Sequence, residues 1–298
     1  ITPVPAGRKL IENEIIHEAW LAPKIAVIDI EGILVNEAGP PLLTDGEHAV
    51  SLLVEKLDRA AHDRSVKAVL LRINSPGGTV AASELMHYEI TRFRKRTGKV
   101  VIAVMMDVAA SGGYYVACAC DEIMAHRSTV TGSIGVVLQL FDLTGTMAKL
   151  GVRPHTIKSG DLKAGGSPFE TLSEKDREIF QRIIDDMHQA FVEVVAAGRP
   201  GLTEEHVRKL ADGRVYTASQ ALEAGLIDRI GTMRDAIEVA KKKIHAQKVN
   251  VVVYHRPLRY VPNYYARAAV GGDINVFKIE WPAWLRRPTA RFMYLWVP

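Results

Sequence analysis

The stretch VVIAVMMDVAASGGYYVACAC, residues 100–120, decides what kind of molecule this chain makes. It is long enough to cross a bilayer and is apolar except for Asp107 and the Ser-Gly-Gly at 111–113. A charge near the middle of a spanning helix is costly, and a glycine pair interrupts helix formation. A buried strand over Val100–Met106, followed by a turn and a buried helix over Ser111–Cys120, explains the same letters without either cost.

The flanking sequence repeats that alternation. Lys24–Ile30 (KIAVIDI) and Val66–Ile73 (VKAVLLRI) are β-branched runs of the kind that form strands covered on both faces. Between them Val50, Leu53, Val54 and Leu57 recur at helical spacing behind a cap at Thr44 or Asp45. Ala81–Arg96 predicts a second helix with a basic end. Downstream, short strands are predicted at Glu122–Ala125 and Ile134–Leu138, and another at Val152–Ile157. Leu172–Ala197 follows as one amphipathic helix striped by Ile179, Ile183, Met187, Phe191 and Val194. Helices at Glu204–Leu210, Ala218–Ala224 and Arg234–His245 are punctuated by Gly225 and Gly231. Such alternation means right-handed βαβ units and a mostly parallel sheet, an α/β fold.

Composition narrows the partners. Lys and Arg total 38 against 34 Asp and Glu, and the two signs are mixed along most of the chain, so no nucleic-acid footprint is expected. Cys118 and Cys120 stand two apart in a predicted helix and point to different faces, which argues against a disulfide. HExxH and CxxC patterns are missing, so metal chemistry has no support. Ile1–Leu21 mixes apolar residues with Glu12, Glu14 and Glu18 and does not read as a signal peptide. The chain divides into a lead (1–23), a catalytic unit (24–247) and an aromatic, basic arm (248–298). Tyr254, Tyr260, Tyr264, Tyr265, Trp281, Trp284, Tyr294 and Trp296 fall in that arm, with Arg286, Arg287 and Arg291. It is expected to lie on its own body, a neighbouring subunit or a membrane surface.

Three segments hold candidate chemistry. Asn74-Ser75-Pro76-Gly77-Gly78 is either a tight turn or a place where a carbonyl can approach a bare backbone N–H, as an oxyanion hole requires. Ser111, between Ala110 and Gly112, is either a helix N-cap or an unobstructed nucleophile with the Gly112 N–H beside it. A serine nucleophile needs a base, and GxSxG is absent. Residues 157–169 (IKSGDLKAGGSPF) offer Lys158 and Lys163, and a lysine is a base only where its surroundings favour the neutral amine.

Taken in order, SPGG, AASGGYY and SGDLK, with Thr131-Gly132-Ser133-Ile134-Gly135-Val136 between the last two, resemble peptidase family S49, the signal peptide peptidase A family, in its short single-domain form. The resemblance runs from about Lys24 through Ile230. It implies a Clp protease/crotonase-like spiral of ββα units, Ser111 as nucleophile and Lys163 as base. It further implies Ser133 orienting the lysine and the N–H groups of Gly78 and Gly112 as oxyanion hole. The implied activity is a serine endopeptidase with a Ser-Lys dyad that uses no cofactor and acts on apolar peptides such as signal peptides. The family also implies a homo-oligomeric ring, association with the cell membrane with the catalytic domain on the outer side, and an N-terminal anchor expected to have been removed. Rival readings are a crotonase-type acyl-CoA hydrolase or hydratase, a non-catalytic membrane scaffold, and a Ser-His-Asp peptidase. The last would need a histidine where residues around Val136 are nonpolar.

Overall fold

Residues 100–120 divide at Ser111, where a buried strand gives way to a short buried helix. The computed structural model describes residues 9–36, 49–256 and 292–296. In chain order these form β1 (Ile11–Ile16), β2 (Lys24–Glu31), α1 (Ala49–His62), β3 (Val66–Ser75), β4 (Gly77–Thr79) and α2 (Val80–Thr97). Next come β5 (Val100–Ala110), α3 (Gly112–Ala117), β6 (Glu122–Ala125), β7 (Val130–Gly132), β8 (Val137–Leu138) and α4 (Thr144–Lys149). A 3-10 turn (Asp161–Ala164) precedes α5 (Glu174–Gly198), α6 (Glu204–Leu210), β9 (Val215–Thr217) and α7 (Ala218–Glu223). The remainder is β10 (Arg229–Ile230), α8 (Met233–Lys243), β11 (Asn250–His255) and β12 (Phe292–Leu295).

The main sheet runs β1-β11-β2-β3-β5-β6-β10, with β7 pairing to the far end of β5 and β9 pairing to β7. All pairings from β11 through β10 are parallel, as is β5 with β7; β1 with β11 and β7 with β9 are antiparallel. The fold is therefore the α/β class expected. Alternate residues of the central strands face two separate cores. Ala26, Ile28, Val69, Leu71 and Ile73 face the layer that includes α1, α2, α3 and α5, whereas Ile25, Val27, Ala68 and Leu70 face α8. Burial on both faces explains why these strands read as unbroken apolar runs. A second sheet, β4-β12-β8, is wholly antiparallel.

Several elements differ from expectation. β1 and β11, from stretches expected to flank the catalytic unit, pair with each other, and β11 continues along β2. The predicted strand at Val152–Ile157 does not form: its β-branched residues meet no neighbouring strand, and Ile157 is fully exposed. Of the predicted strand at Ile134–Leu138 only Val137–Leu138 forms, as β8; β7 lies just before it at Val130–Gly132, and between the two Gly132 (φ 81°) and Ser133 (φ 49°) turn the chain away from the main sheet. Cys118 and Cys120 are free and buried, and burial pushes the Cys118 thiol up to about 12. Thr44 and Asp45, and Tyr260 through Arg291, lie outside the described residues.

Two pairings tie α5 and α2 to this frame. Arg199, at the end of α5, donates to both carboxylate oxygens of Asp228 at 2.8 Å and to the Gly225 carbonyl at 2.8 Å. Asp228 also accepts the Ile123 N–H. The His87 ring of α2 packs edge-on against Tyr115 at 5.3 Å, and burial, aided by Arg94, pushes its pKa down to about 4.

Asp228→Ala should lower unfolding stability by about 2–4 kcal/mol, since it leaves a guanidinium that is only 10% exposed without its partner; a urea midpoint unchanged from wild type would refute this. Between pH 6.5 and about 4 the unfolded chain binds a proton at His87 that the folded chain does not. Stability should therefore fall as pH drops through that window, by on the order of 2 kcal/mol at pH 4.5. His87→Phe should flatten this part of the urea-midpoint pH profile, and a variant profile parallel to wild type would exclude the assignment.

Candidate active site

Ser111 sits where β5 ends, with φ 52° and ψ −117°, a conformation rare for a residue with a side chain. Two backbone bonds hold it there: its N–H donates to the Gly132 carbonyl at 2.7 Å, and its own carbonyl accepts from Tyr115 N–H at 2.9 Å. Its hydroxyl makes no capping bond to α3, so the N-cap explanation for this serine does not use its side chain. With the whole chain in place the residue is 1% exposed.

The SPGG turn lies beside it. The Ser75 hydroxyl donates to the Gly32 carbonyl at 2.6 Å and accepts the Gly77 N–H at 3.1 Å, which fixes the end of β3. Leu34 N–H donates to the Gly77 carbonyl and Thr79 N–H to the Leu34 carbonyl, both at 2.8 Å. The approach is so close that a Cβ on Gly78 would fall on the Leu34 backbone, and one on Gly112 would fall on the Ser83 hydroxyl. Gly77 has φ 104°, a region only glycine enters freely. A Cβ placed on Gly77 would lie 2.7 Å from the Gly112 nitrogen, so the two candidate oxyanion segments are adjacent.

Ser133 is 8% exposed and has φ 49°; its N–H donates to the Arg214 carbonyl at 2.8 Å. Its N-terminal neighbour, Gly132, supplies the carbonyl that holds Ser111, so Ser111 and Ser133 belong to one backbone unit. Lys163 is not brought to them. It lies exposed on the 3-10 turn and makes no hydrogen bond to Ser111 or Ser133. The competing Lys158 is engaged elsewhere: its amine donates to Glu170 at 2.7 Å, and that bond pushes its pKa up, away from what a neutral base needs. Among the described residues no histidine hydrogen-bonds to Ser111, and no group of His, Cys, Asp and Glu could hold a metal ion.

A groove beside Ser111 was not foreseen. β4 and β8 form its two edges, and Tyr115, Phe191 and Met187 line a side pocket that receives the Tyr294 side chain. Tyr115 and Phe191 stood out in the sequence only as parts of apolar stretches. No local pattern joins them to a residue more than a hundred positions away.

The chain matches the model for peptidase family S49 over residues 93–247. A protein of Enterococcus faecium named "Putative signal peptide peptidase SppA" is 34% identical over 248 residues, covering 83% of this chain and 72% of its own length. Protease 4 of Haemophilus influenzae is 36% identical over 230 residues; the match covers 77% of this chain but 36% of that protein. Among solved structures, a ClpP1 variant from Listeria monocytogenes is 18% identical with a TM-score of 0.46, over 71% of this chain and 94% of that one. With the family model spanning more than half of its residues and a relative aligned over most of its length, the chain belongs to peptidase family S49 and is a serine peptidase.

Proposed function

We propose that this serine peptidase cuts apolar peptides, remnant signal peptides among them, with Ser111 as nucleophile and Lys163 as general base. The observation that carries the reading is the Ser111 turn. Its hydroxyl is left out of capping, and beside it the bare backbone of Gly77, Gly78 and Gly112 forms a cradle that admits a peptide carbonyl. In the reaction, Lys163 takes the Ser111 proton as the oxygen attacks the scissile carbonyl, and the N–H groups of Gly78 and Gly112 hold the oxyanion. The intermediate collapses, the leaving amine takes the proton from Lys163, and water, deprotonated by the same lysine, releases the acyl group. Ser133 orients the lysine amine.

Lys163 must come inward for this. Phe141, Leu143, Leu150, Val152, Ile157, Leu162 and Phe169 are all exposed on the segment that bears it. An apolar surface of this kind supports assembly of several copies, as in a ring, and the covering chain would supply the desolvation that a lysine base requires. The reading includes a membrane-associated enzyme on the outer side of the cell, where signal peptides remain after secretion. Among the described residues no helix is long and apolar enough to cross a membrane. The hydratase and scaffold alternatives are not favoured by the family match.

On a fluorogenic apolar peptide, Ser111→Ala and Lys163→Ala should each reduce kcat by about 10⁴-fold or more, while Lys158→Ala stays within about twofold of wild type. Activity that survives Lys163→Ala and is lost in Lys158→Ala would reassign the base. A wild-type chain inactive on every apolar peptide would remove the proposed substrate class.

A further inference from the structure

The turn that joins β1 to β2 displays two large apolar side chains that nothing in the chain covers. Trp20 is 86% exposed and Leu21 90%. Scattered exposed apolar residues are ordinary on a protein surface, but these two are adjacent and their backbone is fixed. The Asn250 side chain, at the start of β11, accepts the Glu18 and Ala19 N–H groups at 3.0 and 3.3 Å and donates to the Ala19 carbonyl at 3.0 Å. The Ala22 N–H donates to that same carbonyl at 3.2 Å and closes the turn. On its near side the Glu18 carboxylate accepts the Lys241 amine at 2.8 Å and the Val249 N–H at 2.7 Å. A turn tied this firmly loses little further freedom when its tip is buried by a partner.

The surroundings of the turn are basic. Lys24 stands opposite Val66 and Asn250, so the first residues of β2, β3 and β11 lie at one end of the sheet. Helices α1, α2 and α8 run back to that end, and each closes on a turn rich in Lys, Arg or His. Basic residues suit helix C-termini, and several are engaged within the chain: Lys24 by Glu12 and Asp63, Arg96 by Asp58, Lys241 by Glu18. Arg64, Lys67, Lys95, Lys242 and Lys248 are exposed and form no ion pair among the described residues. Lys248 directly precedes Val249, whose N–H holds Glu18.

A purely ionic partner would satisfy these cations and leave Trp20 and Leu21 in water. A second copy of the chain could bury the apolar pair but would set like charges against each other. An anionic bilayer meets both needs, since indole favours the headgroup level and lysine is drawn to anionic headgroups. We propose that the β1–β2 turn and the basic end of the sheet dock on an anionic lipid surface, with Trp20 and Leu21 entering the headgroup region. The inference gives a site to the membrane association in the reading above and rests on that part of it, not on the assignment of the dyad. Ser111 follows the far end of β5, an 11-residue strand, roughly 30–35 Å away at the rise of an extended chain. Docking therefore does not touch the catalytic residues.

The test uses the full chain and phosphatidylcholine vesicles with and without about 30 mol% phosphatidylglycerol, read by co-sedimentation. Trp20→Ser combined with Leu21→Ser should lower partitioning onto the anionic vesicles about tenfold or more. Lys67→Gln combined with Lys248→Gln should lower it by about tenfold, and raising salt to about 0.5 M should weaken wild-type binding in the same direction. Cleavage of a soluble apolar peptide should stay within about twofold of wild type in both variants. Binding that survives Trp20→Ser with Leu21→Ser would overturn the site and leave membrane association standing elsewhere on the chain. A wild-type chain that ignores anionic vesicles would overturn the site and the membrane association together. Equal wild-type binding to both vesicles would overturn the role of the cations. Fewer subunits per particle in the apolar variant without vesicles, seen by sedimentation equilibrium, would make the turn a contact between copies and overturn the proposal. Lipid binding as expected, in chains that cleave no apolar peptide, would leave this site standing and remove the peptidase reading.

Discussion

Backbone approaching backbone without any intervening side chain is the constraint on which the rest of this structure depends. Gly78 meets the Leu34 backbone, a Cβ on Gly113 would stand 2.7 Å from the Ser75 carbonyl oxygen, and Gly112 meets the Ser83 hydroxyl. These contacts lock the end of β3, the short β4 and the start of α3 into one unit. Ser111 and Ser133 are held at positive φ in the same neighbourhood, each at a cost of about 1–3 kcal/mol. The bonds from Ser111 N–H to Gly132 and from Ser133 N–H to Arg214 offset that cost. Strain at the two serines is thus shared through a single peptide linkage, Gly132–Ser133, which gives the site a rigid half.

The other half has a different character. The segment from Val137 to Phe169 carries eight exposed large apolar residues and the exposed Lys163, with Lys158 held by Glu170. Exposed apolar surface of this extent is not what a strand or helix of an isolated chain leaves uncovered. The difference between the two halves follows from their packing. The serine and the glycines are set by contacts internal to the chain, while the lysine rides on an exposed apolar surface.

What could be read in advance follows the same division. β2, β3 and β5 were legible because a parallel sheet covered on both faces leaves an apolar run that needs no partner to be recognised. Ser111, Gly78 and Gly112 stood out because the small residues around them leave room for close backbone approach, while the roles expected of them came only from the family resemblance. β1 (IENEII) was not, since an edge strand with one open face is half polar and pairs only with β11, more than two hundred residues away. Val152–Ile157 misled because β-branched residues favour an extended chain whether or not a neighbouring strand exists. β12 was invisible for the opposite reason: nothing in FMYL distinguishes a strand from the rest of an aromatic arm, and its place is decided by a glycine pair and by two rings from α3 and α5.

The geometry of β12 bears on how an apolar peptide could be held at all. A signal-peptide segment in a membrane satisfies its backbone as a helix, because unpaired N–H and C=O groups are costly there. A serine nucleophile at the end of a strand requires the segment to be extended, which breaks those bonds. A groove with one edge would repay half of them. Here β4 and β8 flank β12 on both sides, so both rows of its backbone groups face a neighbouring strand. The side chains then add selection at alternate positions. Phe292 lies 6.5 Å from Phe180, and Tyr294 lies against Tyr115 and Phe191, both on the same face of the strand. Backbone pairing on both edges is what an extended segment needs in order to compete with a helix for the same chain.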